Sequence, residues 1–500
     1  MSLTLTKLVE LSGGTLHGAD GQESLEFDHI TLNSGELREG SLFAALPGLN
    51  AHGAGYAAGT PAAAILTDHD GLALLQQAGE QRPIVAVADI RQILGPVSAA
   101  VYGNPSHDLT VIGVTGTSGK TTTTYLLEAG LIAEGHKVGL IGTTGTRIDG
   151  DPVPTKLTTP EAPKLQELFA LMRDRGVSHV VMEVSSHAIS LGRVAGTRFI
   201  AGGFTNLSQD HLDFHDTMEE YFDAKAGFFR PGSHTRAQRP VIMVDDSWGV
   251  KMASIAGPDA LTVATGGAKA DVIASEATVD VAGVQEFTVS IADQEFPVKL
   301  ALPGQFNVAN AALAIALAHV AGSDVEKFIA GIATVGVPGR MERIDEGQDF
   351  LAVVDYAHKP AAVAAVLDSV RTQIAGRVAV VLGAGGDRDA TKRPLMGAAA
   401  VERADFVVIT DDNPRSEDPA TIRQAVMEGA VAAQKTVAHH PEIVEIGDRG
   451  EAIIAAVRWA QPGDAIIIAG KGHENGQLVA GVNYPFDDRD HVRTAIRNRS

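Results

Sequence analysis

The residues between Gly113 and Thr122 form a glycine-rich segment that could bind phosphate. The segment reads Gly-Val-Thr-Gly-Thr-Ser-Gly-Lys-Thr-Thr and begins inside the apolar run Val111–Val114, which predicts a buried strand. A helix is predicted to start at Thr121, and backbone amides in its first turn attract phosphate. Lys120 adds a positive charge, and the Thr121 hydroxyl can bind Mg²⁺. We therefore predict an ATP- or GTP-binding loop made by Gly116, Thr117, Ser118, Gly119, Lys120, Thr121 and Thr122.

The match to a phosphate loop is imperfect, because the usual spacing has a glycine where this chain has Val114. The alternative is a glycine-rich turn that happens to precede a lysine. The strand, the loop, the Lys-Thr pair and the helix coincide here, and this combination favours phosphate binding. Such a loop does not name a reaction, since switches, motors, kinases and ligases share it.

Two further residues could hold a metal ion beside this loop. Glu183 ends a predicted strand over His179–Val184, and His211 lies in a polar loop after Phe204. A carboxylate can hold Mg²⁺ on terminal phosphates, whereas histidine is an unusual magnesium ligand. Either residue alone is better explained by a structural hydrogen bond. Together with the phosphate loop, they favour a metal site that also includes the Thr121 hydroxyl.

Lys225 occupies an unusual position for a charged residue. It falls on the apolar face of a helix predicted over Thr217–Phe229, four residues after Tyr221 and three after Phe222. A lysine there either extends its amine to the rim or is desolvated, with a lowered pKa. A neutral amine can capture CO₂ as a carbamate, an oxygen-bearing anion suited to a second Mg²⁺. The residues alone leave both alternatives open.

Alternating strand and helix patterns predict an α/β protein whose parallel sheets bind ligands at the carboxyl ends of their strands. Residues 1–105 predict a small α/β unit, and the turn-rich segment Tyr102–His107 marks its end. Residues 106–336 predict the central ATP-binding unit, with antiparallel strands expected between Val272 and Leu302. Residues 337–500 predict a Rossmann-like unit. Its strands end in four polar loops that suggest a site, namely Asp355–His358, Gly383–Asp389, Asp411–Arg415 and Gly470–Glu474.

The composition excludes several classes of protein. A net charge of −21 over 500 residues argues against a nucleic-acid partner. The lack of cysteine excludes disulfides, thiol catalysis and cysteine-bound metal. Met1–Lys7 has no signal-peptide pattern, and the most apolar helical stretch, Ala311–Val320, is about half as long as a membrane span. We expect a cytoplasmic protein without membrane insertion, and a monomer by default.

The loop sequence Thr115-Gly-Thr-Ser-Gly-Lys-Thr-Thr122 resembles that of the Mur ligases and of their relative folylpolyglutamate synthetase. The resemblance to the Mur family runs nearly end to end, from Leu32-Asn33-Ser34 to Gly472-His473-Glu474. It is strongest to the members that add the third residue of the muramoyl peptide. It implies an ATP- and Mg²⁺-dependent ligase that joins meso-2,6-diaminopimelate to the D-glutamate γ-carboxylate of UDP-N-acetylmuramoyl-L-alanyl-D-glutamate, through an acyl phosphate.

The resemblance also implies roles for individual residues. Lys225, in Tyr-Phe-Asp-Ala-Lys, would be carbamylated (N6-carboxylysine) and would bind metal. The implied catalytic residues are Lys120, Glu183, His211 and Lys225. Further ATP contacts would be Asn307, Arg340, Asp355 and His358. The UDP-muramoyl dipeptide would contact Leu32, Ser34, Leu49, Asn50, Ala51, Thr158, Thr159, Ser185 and Arg193. Diaminopimelate would contact Arg388, Asp412, Asn413, Pro414, Arg415, Gly470 and Glu474.

The sequence departs from the family pattern at three positions. Leu191 stands where relatives often have glutamine and Leu157 where they often have asparagine, which puts two substrate contacts in question. Ser118 replaces a frequent asparagine in the phosphate loop, and we expect this change to be tolerated.

The choice of amino acid depends on Asp412-Asn413-Pro414-Arg415. Diaminopimelate differs from lysine by a second carboxylate, which an arginine fork binds well. In the family this tetrapeptide accompanies diaminopimelate, and lysine-adding members lack the arginine. The alternative is an Asn-Pro turn with a solvent-facing arginine.

Three other functions stay open at this point: the same ligase using L-lysine or another diamino acid, a folylpolyglutamate synthetase-like ligase, and a non-catalytic nucleotide-binding or regulatory protein. The residues before the phosphate loop and the Asp-Asn-Pro-Arg segment argue against the second. The presence of Lys120, Glu183 and Lys225 argues against the third.

Overall fold

The strands of the protein fall into three main sheets that follow one another along the chain. The computed structural model describes residues 3–18, 21–48, 50–212, 214–279 and 284–499. Helices pack on each sheet, and each sheet contributes to its own buried apolar core. The predicted three-unit α/β fold is therefore confirmed. The unit boundaries near residues 105 and 336 stay predictions.

The first unit is built on a sheet with the strand order β2-β7-β6-β5-β4. Its strands are β1 (Leu3–Thr4), β2 (Thr15–His17), β3 (Glu26–Phe27), β4 (His29–Thr31), β5 (Ser41–Ala45), β6 (Ala64–Asp68) and β7 (Ile84–Val87). Its helices are α1 (Leu5–Ser12), α2 (His69–Gln77) and α3 (Ile90–Val101), with 3-10 turns at Ser34–Glu36, Gly53–Tyr56 and Pro105–His107. Because β4 and β5 are adjacent and parallel, the loops that follow them lie at one edge of the sheet.

The central unit is a long mixed sheet with the order β11-β10-β9-β12-β8-β13-β14-β15-β16-β18-β17, and β19 pairs with β18. Its strands are β8 (Thr110–Thr115), β9 (Val138–Gly142), β10 (Gly145–Ile148), β11 (Asp151–Val153), β12 (His179–Glu183), β13 (Phe199–Phe204), β14 (Arg239–Met243), β15 (Leu261–Ala264), β16 (Val272–Ala274), β17 (Thr278–Val279), β18 (Gln285–Ile291) and β19 (Gln294–Leu300). Its helices are α4 (Lys120–Ala133), α5 (Ala162–Asp174), α6 (Ser186–Ser190), α7 (Met218–Ala226), α8 (Ser247–Ala256), α9 (Gln305–Ala321) and α10 (Val325–Ile332).

Strand β8 lies between β12 and β13, and all three run parallel. Their carboxyl ends therefore meet, which brings the residues after Thr115, Glu183 and Phe204 together. The antiparallel strands expected between Val272 and Leu302 are present as β16, β18 and β19. Strands β14 and β15 were not predicted, because apolar runs of four or five residues do not distinguish a strand from a helix segment.

The third unit has a sheet with the order β20-β21-β25-β22-β23-β24 and a separate hairpin of β26 and β27. Its strands are β20 (Glu342–Arg343), β21 (Leu351–Asp355), β22 (Val378–Leu382), β23 (Phe406–Ile409), β24 (Glu442–Glu445), β25 (Ala465–Ala469), β26 (Gly476–Val479) and β27 (Val482–Pro485). Its helices are α11 (Pro360–Arg371), α12 (Lys392–Val401), α13 (Pro419–Gln434), α14 (Arg449–Trp459) and α15 (Asp488–Arg497). Strands β21 to β25 are parallel, so the four predicted polar loops share one edge.

Helix α9 contains the most apolar stretch of the chain and is buried along most of its length. It packs between the central sheet and neighbouring helices, which explains why it is apolar on all sides. In the part of the chain that the structure describes, no helix combines the length and the apolar character needed to cross a bilayer.

Candidate functional site

The predicted phosphate loop joins β8 to α4 and is bent at two glycines. Gly116 has φ 145° and Gly119 has φ 88°, angles that favour glycine. A Cβ atom on Gly116 would lie 1.8 Å from Thr205 Oγ1, so no larger residue fits. Lys120 Nζ donates to the carbonyl oxygens of Gly116 at 2.9 Å and Thr117 at 3.0 Å. The half-buried Lys120 and the first turn of α4 together form a cationic cradle.

A neighbouring segment, which the sequence analysis did not single out, fixes the shape of this loop. Thr205 Oγ1 donates to the Ser118 carbonyl at 2.7 Å, and the Ser118 amide donates to Asn206 Oδ1 at 3.0 Å. The Thr117 amide donates to the Asn206 carbonyl at 2.9 Å. The available signal was a Thr-Asn pair directly after β13, the neighbour of β8.

Glu183 lies at the end of β12 and is only 1% exposed. Its Oε1 accepts hydrogen bonds from Thr121 Oγ1 and from the Thr143 amide, both at 2.9 Å, and its Oε2 accepts one from Thr143 Oγ1 at 3.0 Å. A carboxylate and a hydroxyl at the start of α4 are the oxygen donors that Mg²⁺ prefers. The residues present therefore fit a magnesium ion beside phosphate bound in the loop.

Lys225 lies on α7 and is 1% exposed, so its amine does not reach the rim. Its Nζ donates to the Gly116 carbonyl at 2.9 Å and lies 4.5 Å from the centroid of the Tyr221 ring. Burial, reinforced by the charges of Lys120 and Lys359, holds the pKa of Lys225 well below its usual value. Of the two alternatives left open by the sequence, the structure shows the desolvated lysine.

His211 is paired with Asp210 rather than with Glu183. Its Nε2 lies 3.1 Å from Asp210 Oδ2, and its ring centroid is 5.0 Å from that of His187. Desolvation lowers the pKa of His211, against the opposing charge of Asp210. Over the described ranges, no group of three His, Asp or Glu side chains lies at metal-ligand spacing. The predicted roles of Thr121, Glu183, His211 and Lys225 in holding Mg²⁺ therefore stay predictions.

Arg340 reaches the phosphate loop from the segment that joins the central and third units. Its Nη2 donates to Thr121 Oγ1 at 3.3 Å, and its guanidinium lies 4.2 Å from the centroid of the Tyr356 ring. Its Nη1 is buried and has no hydrogen-bond partner among the described residues. A buried cationic N–H without a partner is costly, so this geometry fits an anionic ligand such as phosphate.

Asp355 ends β21 and holds the backbone next to Arg340, and His358 lies three residues later. The Asp355 carboxylate accepts from the amides of Met341 and Ala357, both at 2.7 Å, and burial raises its pKa. His358 Nδ1 lies 2.8 Å from the Tyr356 carbonyl, and burial holds the pKa of His358 well below its usual value. Their predicted contacts with ATP stay predictions.

Asn307, at the start of α9, lies next to the phosphate loop. Its Nδ2 donates to the Pro303 carbonyl at 2.8 Å, and its Oδ1 accepts from Asn310 Nδ2 at 3.0 Å. A Cβ atom on Gly119 would lie 2.3 Å from Asn310 Oδ1, so α9 closely approaches the loop here. Asn310 was not among the predicted site residues.

The residues predicted for the muramoyl peptide form one network beside Glu183. Thr159 Oγ1 donates to the Glu183 carbonyl at 2.8 Å and accepts from the Ser185 amide at 3.2 Å. Arg193 Nη1 donates to the Thr159 carbonyl at 3.4 Å. Thr158 Oγ1 lies 3.2 Å from the hydroxyl of Thr143, which also binds Glu183.

The residues predicted for the UDP-sugar follow adjacent strands of the first unit. Leu32 and Ser34 come after β4 and are partly buried, whereas Asn50 and Ala51 come after β5 and are exposed. Leu49 lies outside the described residues. The four described residues thus lie at one sheet edge, and their contact with a UDP-sugar stays a prediction.

The residues predicted for diaminopimelate are linked to one another and to the β26–β27 hairpin. Asn413 Nδ2 donates to Glu474 Oε2 at 2.8 Å. Arg415 has φ 54°, and its Nη1 donates to the Gly386 carbonyl at 2.5 Å. The Arg415 amide donates to the Leu478 carbonyl at 2.9 Å, and the Leu478 amide donates to Asn413 Oδ1 at 2.9 Å.

A buried lysine that the sequence analysis did not assign lies behind these residues. Lys471 is 0% exposed, and its Nζ lies 3.0 Å from Asn413 Oδ1, 3.3 Å from Glu474 Oε2 and 3.7 Å from Asp412 Oδ1. A Cβ atom on Gly470 would lie 2.6 Å from Asp412 Oδ2, so Gly470 leaves room for that carboxylate. The sequence signal for Lys471 was a charged residue within the glycine-rich run Gly-Lys-Gly-His-Glu that follows β25.

A cavity of about 840 Å³ lies between the central and third units. Asn413, Arg415 and Glu474 line it from the third unit. Tyr125, Thr143, Thr144, Gly145, Arg147 and Thr155 line it from the central unit. Thr143 therefore connects the Glu183 carboxylate to the same space that Arg415 faces.

The other residues predicted for diaminopimelate do not line this cavity. Arg388 is exposed on the neighbouring loop, and its Nη1 lies 3.4 Å from the Asp387 carbonyl. Asp412, Pro414 and Gly470 are buried behind the cavity wall.

Comparison with known proteins identifies related domains in two parts of the chain. The model of the Mur ligase middle domain matches residues 114–318, and that of the Mur ligase glutamate ligase domain matches residues 339–472. These segments contain the phosphate loop and the Asp412–Arg415 segment, respectively.

Several relatives that match over nearly the full chain carry the name UDP-N-acetylmuramoyl-L-alanyl-D-glutamate–2,6-diaminopimelate ligase. The protein of this name from Corynebacterium efficiens is 62% identical, over 100% of this chain and 95% of its own length. That from Streptomyces coelicolor is 46% identical, over 99% of this chain and 97% of its own. A solved structure of a ligase with this name is 32% identical, with a TM-score of 0.68 over 99% of both chains.

Proposed function

Since the chain belongs to the Mur ligase family, we propose that it joins meso-2,6-diaminopimelate to the D-glutamate γ-carboxylate of UDP-N-acetylmuramoyl-L-alanyl-D-glutamate, with conversion of ATP to ADP and phosphate. The observation that carries this proposal is the shared cavity. Thr143 binds Glu183, the carboxylate beside the phosphate loop, and also lines the cavity that Arg415 lines. An activated carboxyl group and an incoming amino acid can therefore meet there.

The first step transfers the terminal phosphoryl group of ATP to the glutamate carboxylate. Lys120 lies at the cradle with its amine directed at the loop carbonyls, and it turns to the phosphates when ATP enters. Arg340, with its unpaired Nη1, contacts the same phosphates from the other side of Thr121. These charges offset the negative charge that develops on the transferred group.

Thr121 and Glu183 are the residues that would hold Mg²⁺, which supplies further charge neutralisation on the phosphates. We propose that Lys225 provides another anionic oxygen ligand as a carbamate. Its neutral amine would add to CO₂ and release one proton. The support is the burial of this amine and its lowered pKa, since only the neutral amine reacts with CO₂.

The second step is attack of an amine of diaminopimelate on the acyl phosphate, which gives an amide and releases phosphate. Arg415 would bind the distal carboxylate through its guanidinium fork, and Glu474 would receive an ammonium group. Contact between the central and third units would exclude water from the acyl phosphate. The reaction requires no nucleophile from the protein.

ADP release provides the test of this proposal. Purified protein with ATP and Mg²⁺ should release ADP only when both UDP-N-acetylmuramoyl-L-alanyl-D-glutamate and diaminopimelate are present. L-Lysine is the matched comparison, because it lacks the second carboxylate that Arg415 would bind. A higher rate with L-lysine would reverse the assignment of the amino acid, and no ADP release with any amino acid would refute the proposal.

A labelling experiment tests the carbamate separately. Protein prepared with ¹³CO₂ should show one carbamate carbon signal by ¹³C NMR, and Lys225→Arg should lack it. A normal rate in Lys225→Arg would argue against this ligand.

The proposed substrates, ATP and a UDP-linked precursor, imply that the enzyme acts in the cytoplasm. We propose a monomer, because all three sets of predicted binding residues lie within one chain, and sedimentation velocity would test this.

A further inference from the structure

Three lysine amines converge on two consecutive carbonyl groups of the phosphate loop. Lys120 donates to the carbonyls of Gly116 and Thr117, and Lys225 donates to that of Gly116. The third amine belongs to Lys359, which lies just before α11 in the third unit and donates to the Thr117 carbonyl at 3.3 Å. Lys120 and Lys359 therefore share one acceptor, although they come from different units.

Lys359 is strongly buried, and among the described residues one carboxylate pairs with it. Its side chain is 8% exposed, and its Nζ lies 2.7 Å from Asp210 Oδ2. The same Asp210 Oδ2 also lies 3.1 Å from His211 Nε2. Burying a cation beside the Lys120 amine is unfavourable unless an anion joins them, because like charges at short range repel.

We infer that Lys359 is a catalytic residue that the third unit supplies to the terminal phosphoryl group of ATP. This inference rests on the proposed function. When the phosphates fill the loop, the Lys359 amine exchanges the Thr117 carbonyl for an oxygen of that phosphoryl group. A carboxylate oxygen of the substrate then forms a bond to the terminal phosphorus, while the bond between this phosphorus and the ADP oxygen breaks. The electron pair of the broken bond leaves with ADP. The Lys359 side chain offsets negative charge on the phosphoryl group throughout the transfer.

This placement couples the chemistry to the position of the third unit. Lys359 immediately precedes Pro360, the first residue of α11, so its backbone moves with that helix. The cation reaches the phosphate loop only when the third unit is docked on the central unit. Phosphoryl transfer is thereby favoured in the arrangement in which the amino-acid cavity also adjoins Glu183.

The test compares Lys359→Met with the wild type in two backgrounds, with Asp210 intact and with Asp210→Asn. Methionine keeps an unbranched apolar side chain but removes the charge. In the single variant the Asp210 carboxylate is left buried without its lysine, and this could prevent folding. The double variant removes that carboxylate as well, so it tests Lys359 without leaving an unpaired buried charge. We expect kcat for ADP release to fall about 100-fold or more in both backgrounds, as for the loss of one donor to transition-state charge. Lys359→Arg should retain part of the rate.

Binding experiments give a readout that a purely structural ion pair would not change. In Lys359→Met, the Kd of a non-hydrolysable ATP analogue should rise about 10-fold, whereas the Kd of ADP should change less than about 3-fold. Equal losses for the two nucleotides would overturn the contact with the terminal phosphoryl group. Loss of the kcat effect in the Asp210→Asn background would show that Lys359 only neutralises Asp210. If the wild type released no ADP, the proposed function would fail, while the two Kd values would still test Lys359.

Discussion

At the residue scale, Arg415 distinguishes the proposed substrate from L-lysine. Its left-handed backbone and its bond to the Gly386 carbonyl hold the guanidinium at the cavity wall. We predict that Arg415→Ala lowers kcat/KM for diaminopimelate about 10- to 100-fold, because hydrogen bonds to a charged carboxylate are lost. Any rate with L-lysine should be unchanged. Arg415→Lys keeps the charge without the fork and should be intermediate. Unchanged kinetics with diaminopimelate in Arg415→Ala would contradict the assignment.

A second prediction at this scale concerns acid stability. His179 begins β12, and desolvation, with the nearby His136, lowers its pKa from 6.5 to about 4. Between these values the unfolded chain binds more protons than the folded protein, so stability falls as pH falls from 6.5 towards 4. The drop in melting temperature between pH 7 and pH 4.5 should be smaller in His179→Gln than in the wild type.

A control for this measurement is His69→Gln, because His69 is exposed on α2. That variant should show the same acid-induced drop as the wild type. An equal drop in all three proteins would mean that His179 does not contribute to acid sensitivity.

At the element scale, the β26–β27 hairpin positions the Asp412–Arg415 segment. The Leu478 amide donates to Asn413 Oδ1, and the Leu478 carbonyl accepts from the Arg415 amide. Because this N–H bonds to Asn413, Leu478→Pro removes one contact to the segment without removing a bond between β26 and β27. We predict a raised KM for diaminopimelate and an unchanged KM for ATP, measured by ADP release.

Leu478→Ala is the matched variant, since it shortens the side chain but keeps the N–H group. Its KM for diaminopimelate should stay close to that of the wild type. Similar KM values for the proline and alanine variants would show that the backbone contact does not position Asn413.

The elements also show which parts of the site the sequence could predict. The phosphate loop, Glu183 and Lys225 were found because each lies in a local pattern, a strand end or a helical face. Lys359 and Lys471 were missed as functional residues, because their importance arises from contacts across units or behind a cavity wall. Arg388 is exposed, and its predicted contact with diaminopimelate stays a prediction.

At the scale of the whole molecule, the site depends on how the third unit docks against the central unit. Arg340 bonds to Thr121, Lys359 pairs with Asp210, and Gln209 Nε2 lies 3.4 Å from Asp389 Oδ2. Each contact joins a phosphate-side residue to the third unit. Residues of the segment that connects the two units should therefore affect kcat even where they touch no substrate.

Gly339 provides the sharpest test of this dependence. Its φ is 63°, and a Cβ atom there would lie 2.1 Å from the His473 amide nitrogen and 2.2 Å from the Gly472 carbonyl carbon. Alanine would force the connecting segment away from the loop that carries Glu474, and left-handed backbone itself costs alanine about 1–2 kcal/mol. We predict that Gly339→Ala lowers kcat for ADP release at least about 10-fold, a loss of about 1.4 kcal/mol in transition-state stabilisation. With substrates bound, small-angle scattering should show a larger radius of gyration for Gly339→Ala than for the wild type.

Gly336→Ala is the matched control, three residues earlier in the same segment. A Cβ atom on Gly336 meets nothing within 4 Å, so the added methyl group should change kcat by less than about 2-fold. If both variants lost activity equally, chain flexibility in the connecting segment would explain the effect, and close packing of Gly339 against Gly472 would not. If neither lost activity, docking of the third unit would tolerate displacement of the Glu474 loop, and the amine and acyl phosphate would not need the close alignment proposed for them.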